Sequence, residues 1–125
     1  LDVHDHVEFS NGDDPGNGYL RLRKRLVASG TTALNLFQED EKWELALLPG
    51  YVACRNGAGV DFDGPLVTSY FSYEFTNNGR RMDGRIYYVR TDPRTFYSLH
   101  FTVFSNKLSS FGETMDLMAR SFRLK

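Results

Sequence analysis

Three consecutive segments in the second half of the chain, Leu66 to Thr76, Arg81 to Arg90 and Phe96 to Phe104, are rich in aromatic residues and alternate them with polar ones. Side chains of a strand point to opposite faces with a period of two, so this pattern predicts three strands. Asn77-Asn78-Gly79 joins the first two, and Asn and Gly tolerate the positive backbone angles of a tight hairpin. Asp92-Pro93-Arg94 turns the second into the third. The expected core is therefore an antiparallel meander. In its first strand Val67, Ser69, Phe71, Tyr73 and Phe75 share one face, and in its third Tyr97, Leu99, Phe101 and Val103 do.

The period then changes. Phe111, Met115, Met118 and Phe122 form a stripe at helical spacing, and Ser110-Phe111-Gly112-Glu113 fits a capping box at the start of that helix. A second helix is expected over Ala33 to Leu48, about four turns. It follows the capping residues Ser29-Gly30-Thr31-Thr32, carries apolar residues at Ala33, Leu36, Phe37, Trp43 and Leu47, and stops at Pro49-Gly50. Earlier segments read as a short strand over Val3 to Phe9, a loosely alternating strand over Tyr19 to Val27 near a sheet edge, and a short strand within Tyr51 to Asp63 that ends in the turn Asp63-Gly64-Pro65. The fold class is α+β: an antiparallel sheet, with a meander of three long strands and N-terminal strands, covered by two α-helices. The expected organisation is a flexible segment with a short strand over 1–18, where Asn11 to Gly18 is almost all turn formers, and a single domain over 19–125.

With 41% hydrophobic and 14% aromatic residues in 125, the chain can bury a core without disulfides or metals. Its single cysteine, Cys54, permits no internal disulfide, has no evident activating base, and is expected as a small, partly buried side chain. A net charge of -1 gives no field for nucleic acid. The basic run Arg21-Leu22-Arg23-Lys24-Arg25 is expected to be a solvated face. No apolar run reaches eighteen residues, so nothing within this sequence spans a membrane as a helix. The chain opens on Leu1, which suggests a processed protein or an excised domain.

Chemistry-bearing residues are sparse. His4 and His6 point to one side of a strand, yet two imidazoles are too few for a metal shell, and no metal or cofactor is expected. His100 lies mid-strand, facing away from Leu99 and Phe101. It is expected as a surface or cross-strand histidine, because no acid or nucleophile is matched to it; a deep polar pocket around it would reopen an enzymatic reading. Glu74 is expected to pair across the hairpin with Arg81, Arg85 or Arg90. Tyrosines combine a flat apolar body with a polar tip, and some should be exposed on the sheet face away from the helices. Tyr70, Tyr73, Arg85, Tyr87, Tyr88 and His100 are accordingly the candidate binding residues.

The order Pro49-Gly50-Tyr51, Asp63-Gly64-Pro65, Tyr73-Glu74-Phe75, Gly79-Arg80 and Ser121-Phe122-Arg123 resembles the PsbP-like superfamily over Tyr19 to Leu124. Within it the order is most similar to actinobacterial extracytoplasmic domains found alone, on lipoproteins or behind the membrane segment of Ser/Thr kinases. The resemblance implies a non-enzymatic, extracytoplasmic binding or sensory module with a protein partner or cell-envelope component, and no shared catalytic residues. The alternative it implies is a cytoplasmic DcrB-like adaptor that shields hydrophobic segments of secreted proteins.

Overall fold

The computed structural model describes residues 2–3, 6–10, 19–62, 66, 68–105 and 108–124. In chain order the elements are β1 (Asp2–Val3), β2 (His6–Ser10), β3 (Tyr19–Leu26), α1 (Ala33–Trp43), β4 (Val52–Ala53), β5 (Val60–Phe62), β6 (Thr68–Asn77), β7 (Arg80–Asp92), β8 (Thr95–Phe104), α2 (Leu108–Arg120) and β9 (Arg123–Leu124). The main sheet runs β2, β3, β8, β7, β6, with β4 and β5 both paired along the outer edge of β6, and every pairing in it is antiparallel. A separate parallel ribbon joins β1 to β9.

The meander forms as its sequence dictates. Asn78 at φ 51° and Gly79 at φ 79° make the two-residue β6–β7 turn. At the β7–β8 turn the Asp92 carboxylate accepts the Arg94 amide at 2.8 Å, and a bulge between Arg90 and Asp92 absorbs the register change.

The two helices, expected on one side, cover opposite faces. Met115, Ala119 and Phe122 pack on Leu20, Leu22, Tyr87, Val89, Leu99 and Phe101, whereas Leu36 and Phe37 of α1 pack on Phe71, Tyr73, Ile86, Tyr88 and Phe96. The cause lies in β8, where every residue but Thr102 is buried, so both faces of the sheet centre are apolar enough to demand a cover. Phe37 stacks on Phe71 at 4.5 Å and 10°, a contact worth about 0.5–1.5 kcal/mol beyond its buried area.

Local boundaries also differ from expectation. Helix α1 is capped by Thr32, whose hydroxyl accepts the Asn35 amide at 3.1 Å, but it ends at Trp43 and not at Leu48. Glu44 leaves helical geometry at φ -128° and a 3-10 turn follows over Leu45–Leu47. The break rotates Leu45 into the core and leaves Trp43 and Leu47 at 66% and 78% exposure. Helix α2 starts at Leu108, so Ser110 lies inside its first turn and not at its cap; the Phe111 side chain is outside the described set. The single strands expected over Val3 to Phe9 and within Tyr51 to Asp63 are each two short ones, the second pair separated by a 3-10 turn at Cys54–Gly57. Asn11 to Gly18 and the turn Asp63-Gly64-Pro65 lie outside the described residues.

Candidate functional site

On the α1 face of the sheet, Tyr73 of β6 pairs with Gly84 of β7. Because Gly84 has no Cβ, the Tyr73 ring lies directly across the β7 backbone: a Cβ there would sit 2.0 Å from the Tyr73 Cζ atom. The hydroxyl thereby reaches over one whole strand to β8, where it meets His100 Nε2 at 2.5 Å. Both rings are buried.

The β3–β8 register places Arg21 opposite His100. Arg21 Nη2 donates to Glu44 Oε2 at 2.7 Å and lies 3.5 Å from His100 Nδ1, and Arg23 Nη1 approaches Glu44 Oε1 at 3.5 Å. A guanidinium carries donors only, so the tautomer in which Nδ1 accepts from Arg21 has Nε2 donating to the Tyr73 oxygen, and in the other tautomer the Tyr73 hydroxyl donates to Nε2. Burial, with the positive charge of Arg21, pushes His100 down to about 3. Burial raises the Tyr73 hydroxyl. Partial burial would raise the Glu44 carboxyl as well, but the hydrogen bond and charge of Arg21 outweigh it and hold that group below its ordinary value.

These side chains line an open cavity of about 300 Å³ whose walls are Arg21, Glu44, Tyr73, His100 and Thr102 on the polar side and Leu45, Leu48 and Phe75 on the apolar side. It is open and mostly apolar, and so differs from the deep polar pocket around His100 that an enzymatic reading calls for. The protonation states argue for hydrogen bonding over proton transfer. An imidazole this hard to protonate is a weak base at neutral pH, and a tyrosine raised from its ordinary value is a weak nucleophile.

The basic run is not a solvated face. Arg21, Arg23 and Arg25 alternate onto the α1 side, where α1 and its terminal turn present Glu39, Asp40 and Glu44. Arg25 Nη1 donates to Asp40 Oδ2 at 3.0 Å, and Tyr88 Oη donates to the same oxygen at 2.6 Å. All three are buried. Tyr88 therefore belongs to a buried polar triad that fastens α1 to the sheet.

The remaining predicted residues gather on the opposite face. Arg85 lies over the Tyr70 ring at 4.5 Å, donates to Tyr87 Oη at 3.1 Å and approaches Asp116 of α2 at 3.4 Å; Tyr87 also donates to Asp116. The six candidates thus fall into two clusters, Tyr73, Tyr88 and His100 under α1 and Tyr70, Arg85 and Tyr87 beside α2. Of the four tyrosines, Tyr73, Tyr87 and Tyr88 are buried and only Tyr70 is half-buried, because α1 and α2 cover opposite faces of the sheet at these strands. Glu74, directly opposite Asp83 in the hairpin, pairs with its diagonal neighbour Arg81 at 3.1 Å. Arg90 instead donates to the Thr31 carbonyl at 2.9 Å. Cys54 is half-buried. His4 lies outside the described residues, and so does the His6 side chain. Among the described residues no group of three or more His, Cys, Asp or Glu is placed to hold a metal.

Glu44, Gly84 and Thr102 were not singled out from sequence, and Arg21 was read only as part of a solvated face. Two signals pointed at them: arginines at every second position of one strand facing acids on the following helix, and a glycine inside a strand, which marks a close approach.

Fold and site together define an α+β domain with an open antiparallel sheet, a helix on each face, and a small, largely apolar cavity with a few polar groups at the C-terminal end of the first helix. The sequence matches no family model and no curated protein. Among solved structures it is similar to PA94 of Pseudomonas aeruginosa, a protein of unknown function described as a regulator candidate, with a TM-score of 0.67 and 10% identity over 98% of this chain and 86% of that one. It is also similar to LpqN of Mycobacterium tuberculosis, a protein involved in cell envelope biogenesis, with a TM-score of 0.55 and 14% identity over 89% of this chain and 65% of LpqN. This chain therefore spans just under two thirds of LpqN. At such identities the likeness is one of fold, and it is compatible with the PsbP-like arrangement. No helix among the described residues is long and apolar enough to cross a membrane.

Proposed function

We propose that this chain is a PsbP-like, non-catalytic binding module that works on the extracytoplasmic side of the cell envelope, and that the His100 cavity is where it takes an envelope component. The carrying observation is the cavity itself, in which buried His100 and Tyr73 and the Arg21–Glu44 pair converge on a space bounded by Leu45, Leu48 and Phe75. Small-molecule sites are concave, largely apolar and furnished with a few placed polar groups, and this one has that make-up. Fold likeness to an envelope-biogenesis protein supports the compartment.

The test is an NMR titration with envelope-derived sugar, peptide and acyl fragments, run beside Leu48→Trp, which fills the cavity mouth from a half-buried loop position. Shifts at His100 and Arg21 that vanish in Leu48→Trp are expected. Binding that persists in that variant, or that maps to Tyr70 and Arg85, would overturn the assignment of the cavity.

A second reading, a cytoplasmic adaptor for hydrophobic segments, draws on the exposed Trp43 and Leu47. A dimer in light scattering, with a blue shift of Trp43 fluorescence on adding an apolar helical peptide, would favour it over the first.

A further inference from the structure

We infer that the groove between the first half of α1 and β5 is a second binding site, which takes an extended peptide as a strand added to the sheet and holds a lysine or arginine side chain of that peptide on Asp61. This goes beyond the reading of the His100 cavity, with which the groove shares no wall residue.

The sheet edge comes first. Strand β5 pairs with β6 through Val60 and Tyr70, Asp61 and Ser69, and Phe62 and Thr68, and among the described residues no strand pairs along its other side. A strand so placed carries backbone groups that a further strand can take up. Peptides added in this way draw affinity from main-chain hydrogen bonds and selectivity from pockets that receive alternate side chains.

A receiving pocket adjoins this edge. A groove of about 610 Å³ is lined by Leu34 and Gln38 of α1, by the Gly57–Gly59 loop, and by Asp61 and Ser69. Phe71 also lines it, packed so closely on Gly59 that a Cβ there would sit 2.7 Å from the Phe71 Cζ atom. The loop carries nothing larger than the methyl group of Ala58, so its own side chains leave the space open.

Charge selects the side chain that enters. Asp61 is exposed; among the described residues it accepts from the Ser69 hydroxyl at 3.3 Å and forms no ion pair. Arg55, exposed on the turn before β5, does not pair with it. A carboxylate with spare lone pairs, beside the Gln38 amide oxygen, suits a cationic donor, and Leu34, Ala58 and Phe71 offer its methylene stem an apolar wall. A residue directly opposite Asp61 on an added strand would have its Cβ about 4.5–5.5 Å away, within reach of an ion pair.

The probes are the blocked pentapeptide Thr-Val-Lys-Val-Thr, its forms with arginine, norleucine or glutamate in place of lysine, two forms N-methylated at the odd or at the even positions, and N-acetyl-lysine amide alone. They are titrated against wild type and Asp61→Asn while the backbone amides of Val60, Asp61, Phe62 and Gln38 and the His100 ring signals are followed. The lysine and arginine peptides are expected to move those amides and leave His100 unmoved. Binding should fall about tenfold in Asp61→Asn and about tenfold with norleucine, and vanish with glutamate. Only one of the two N-methylated forms should lose binding, since alternate amides of an added strand face its neighbour. Norleucine or Asp61→Asn matching the parent would overturn the selection of a basic residue. N-acetyl-lysine amide binding as tightly as the pentapeptide, or both N-methylated forms binding like it, would overturn strand addition. Shifts confined to His100, or none with either basic peptide, would overturn the groove as the site. Asp61 is exposed, so its replacement by asparagine leaves the fold intact and the comparison valid.

Discussion

Gly84 sets what Tyr73 can touch, and through it the state of His100. Alanine at position 84 would place a carbon 2.0 Å from the Tyr73 ring, so the ring must tilt away and give up its bond to His100. We expect Gly84→Ala to cost about 2–4 kcal/mol in urea denaturation, combining overpacking with a lost buried hydrogen bond. A loss below about 1 kcal/mol would show that the ring does not lie across β7. His100 carries a second prediction. Its folded value is lowered to about 3 from an ordinary 6.5, so between those limits the unfolded chain holds a proton that the folded chain refuses. The stability this contributes is complete above pH 6.5 and drains as pH falls, by about 2 kcal/mol from pH 6.5 to pH 5. The Glu44 carboxyl, held low by Arg21, adds its own loss only in more acid solution. Denaturation curves across this interval should steepen in wild type and flatten in His100→Gln; equal slopes would mean that His100 titrates normally in the folded state.

Helix α1 is held at both ends by different means. Its start depends on the Thr32–Asn35 capping box, and Thr32→Ala should cost about 1 kcal/mol. Its last turns depend on Asp40, which takes Arg25 and Tyr88 together in a buried setting. Asp40→Ala strands a buried guanidinium and a buried hydroxyl, and about 3–5 kcal/mol should be lost. Glu39, also within reach of Arg25 but mostly exposed, should matter by about 0.5 kcal/mol or less. If the two alanine variants melt alike in thermal denaturation, the triad is not what fastens the helix. The contrast also explains what could be read from sequence. Strands β6 to β8 were legible because alternation, Asn78-Gly79 and Asp92-Pro93 act within a few residues. The destination of Arg21, Arg23 and Arg25 was not, because their partners lie 15 to 23 positions away and the pairing depends on α1 lying over that face. The end of α1 was missed for a related reason: Leu47 fits the helical period, yet burial of Leu45 outweighs that local preference. At the candidate site, Tyr73 and His100 could be named from residue type, whereas the glycine that lets them meet and the arginine that faces His100 become visible only when β3, β6, β7 and β8 are side by side.

The sheet divides the molecule into two cores with no side chain in common, one under each helix. Mutational effects on opposite sides of such a divider add when the sites share no partner. The His100 cavity opens on the α1 side, and its walls come from β3, β6, β8 and the turn after α1. The α2 side should therefore tune stability without tuning binding. Ala119→Gly, in a buried position of α2, should lower the unfolding free energy by about 1 kcal/mol through added backbone freedom. Its affinity for whichever probe the cavity accepts should equal that of wild type. Leu45→Ala, in the cavity wall, should lower stability by about 2–5 kcal/mol and shift affinity as well, since it enlarges the space the ligand must fill. Paired urea melts and titrations on the two variants make the comparison. A drop in affinity for Ala119→Gly beyond its change in folded fraction would show that the two faces are coupled through the strands. The cavity would then have to be understood as one pole of a switch spanning the sheet, with Asp116, Arg85 and Tyr87 at the other.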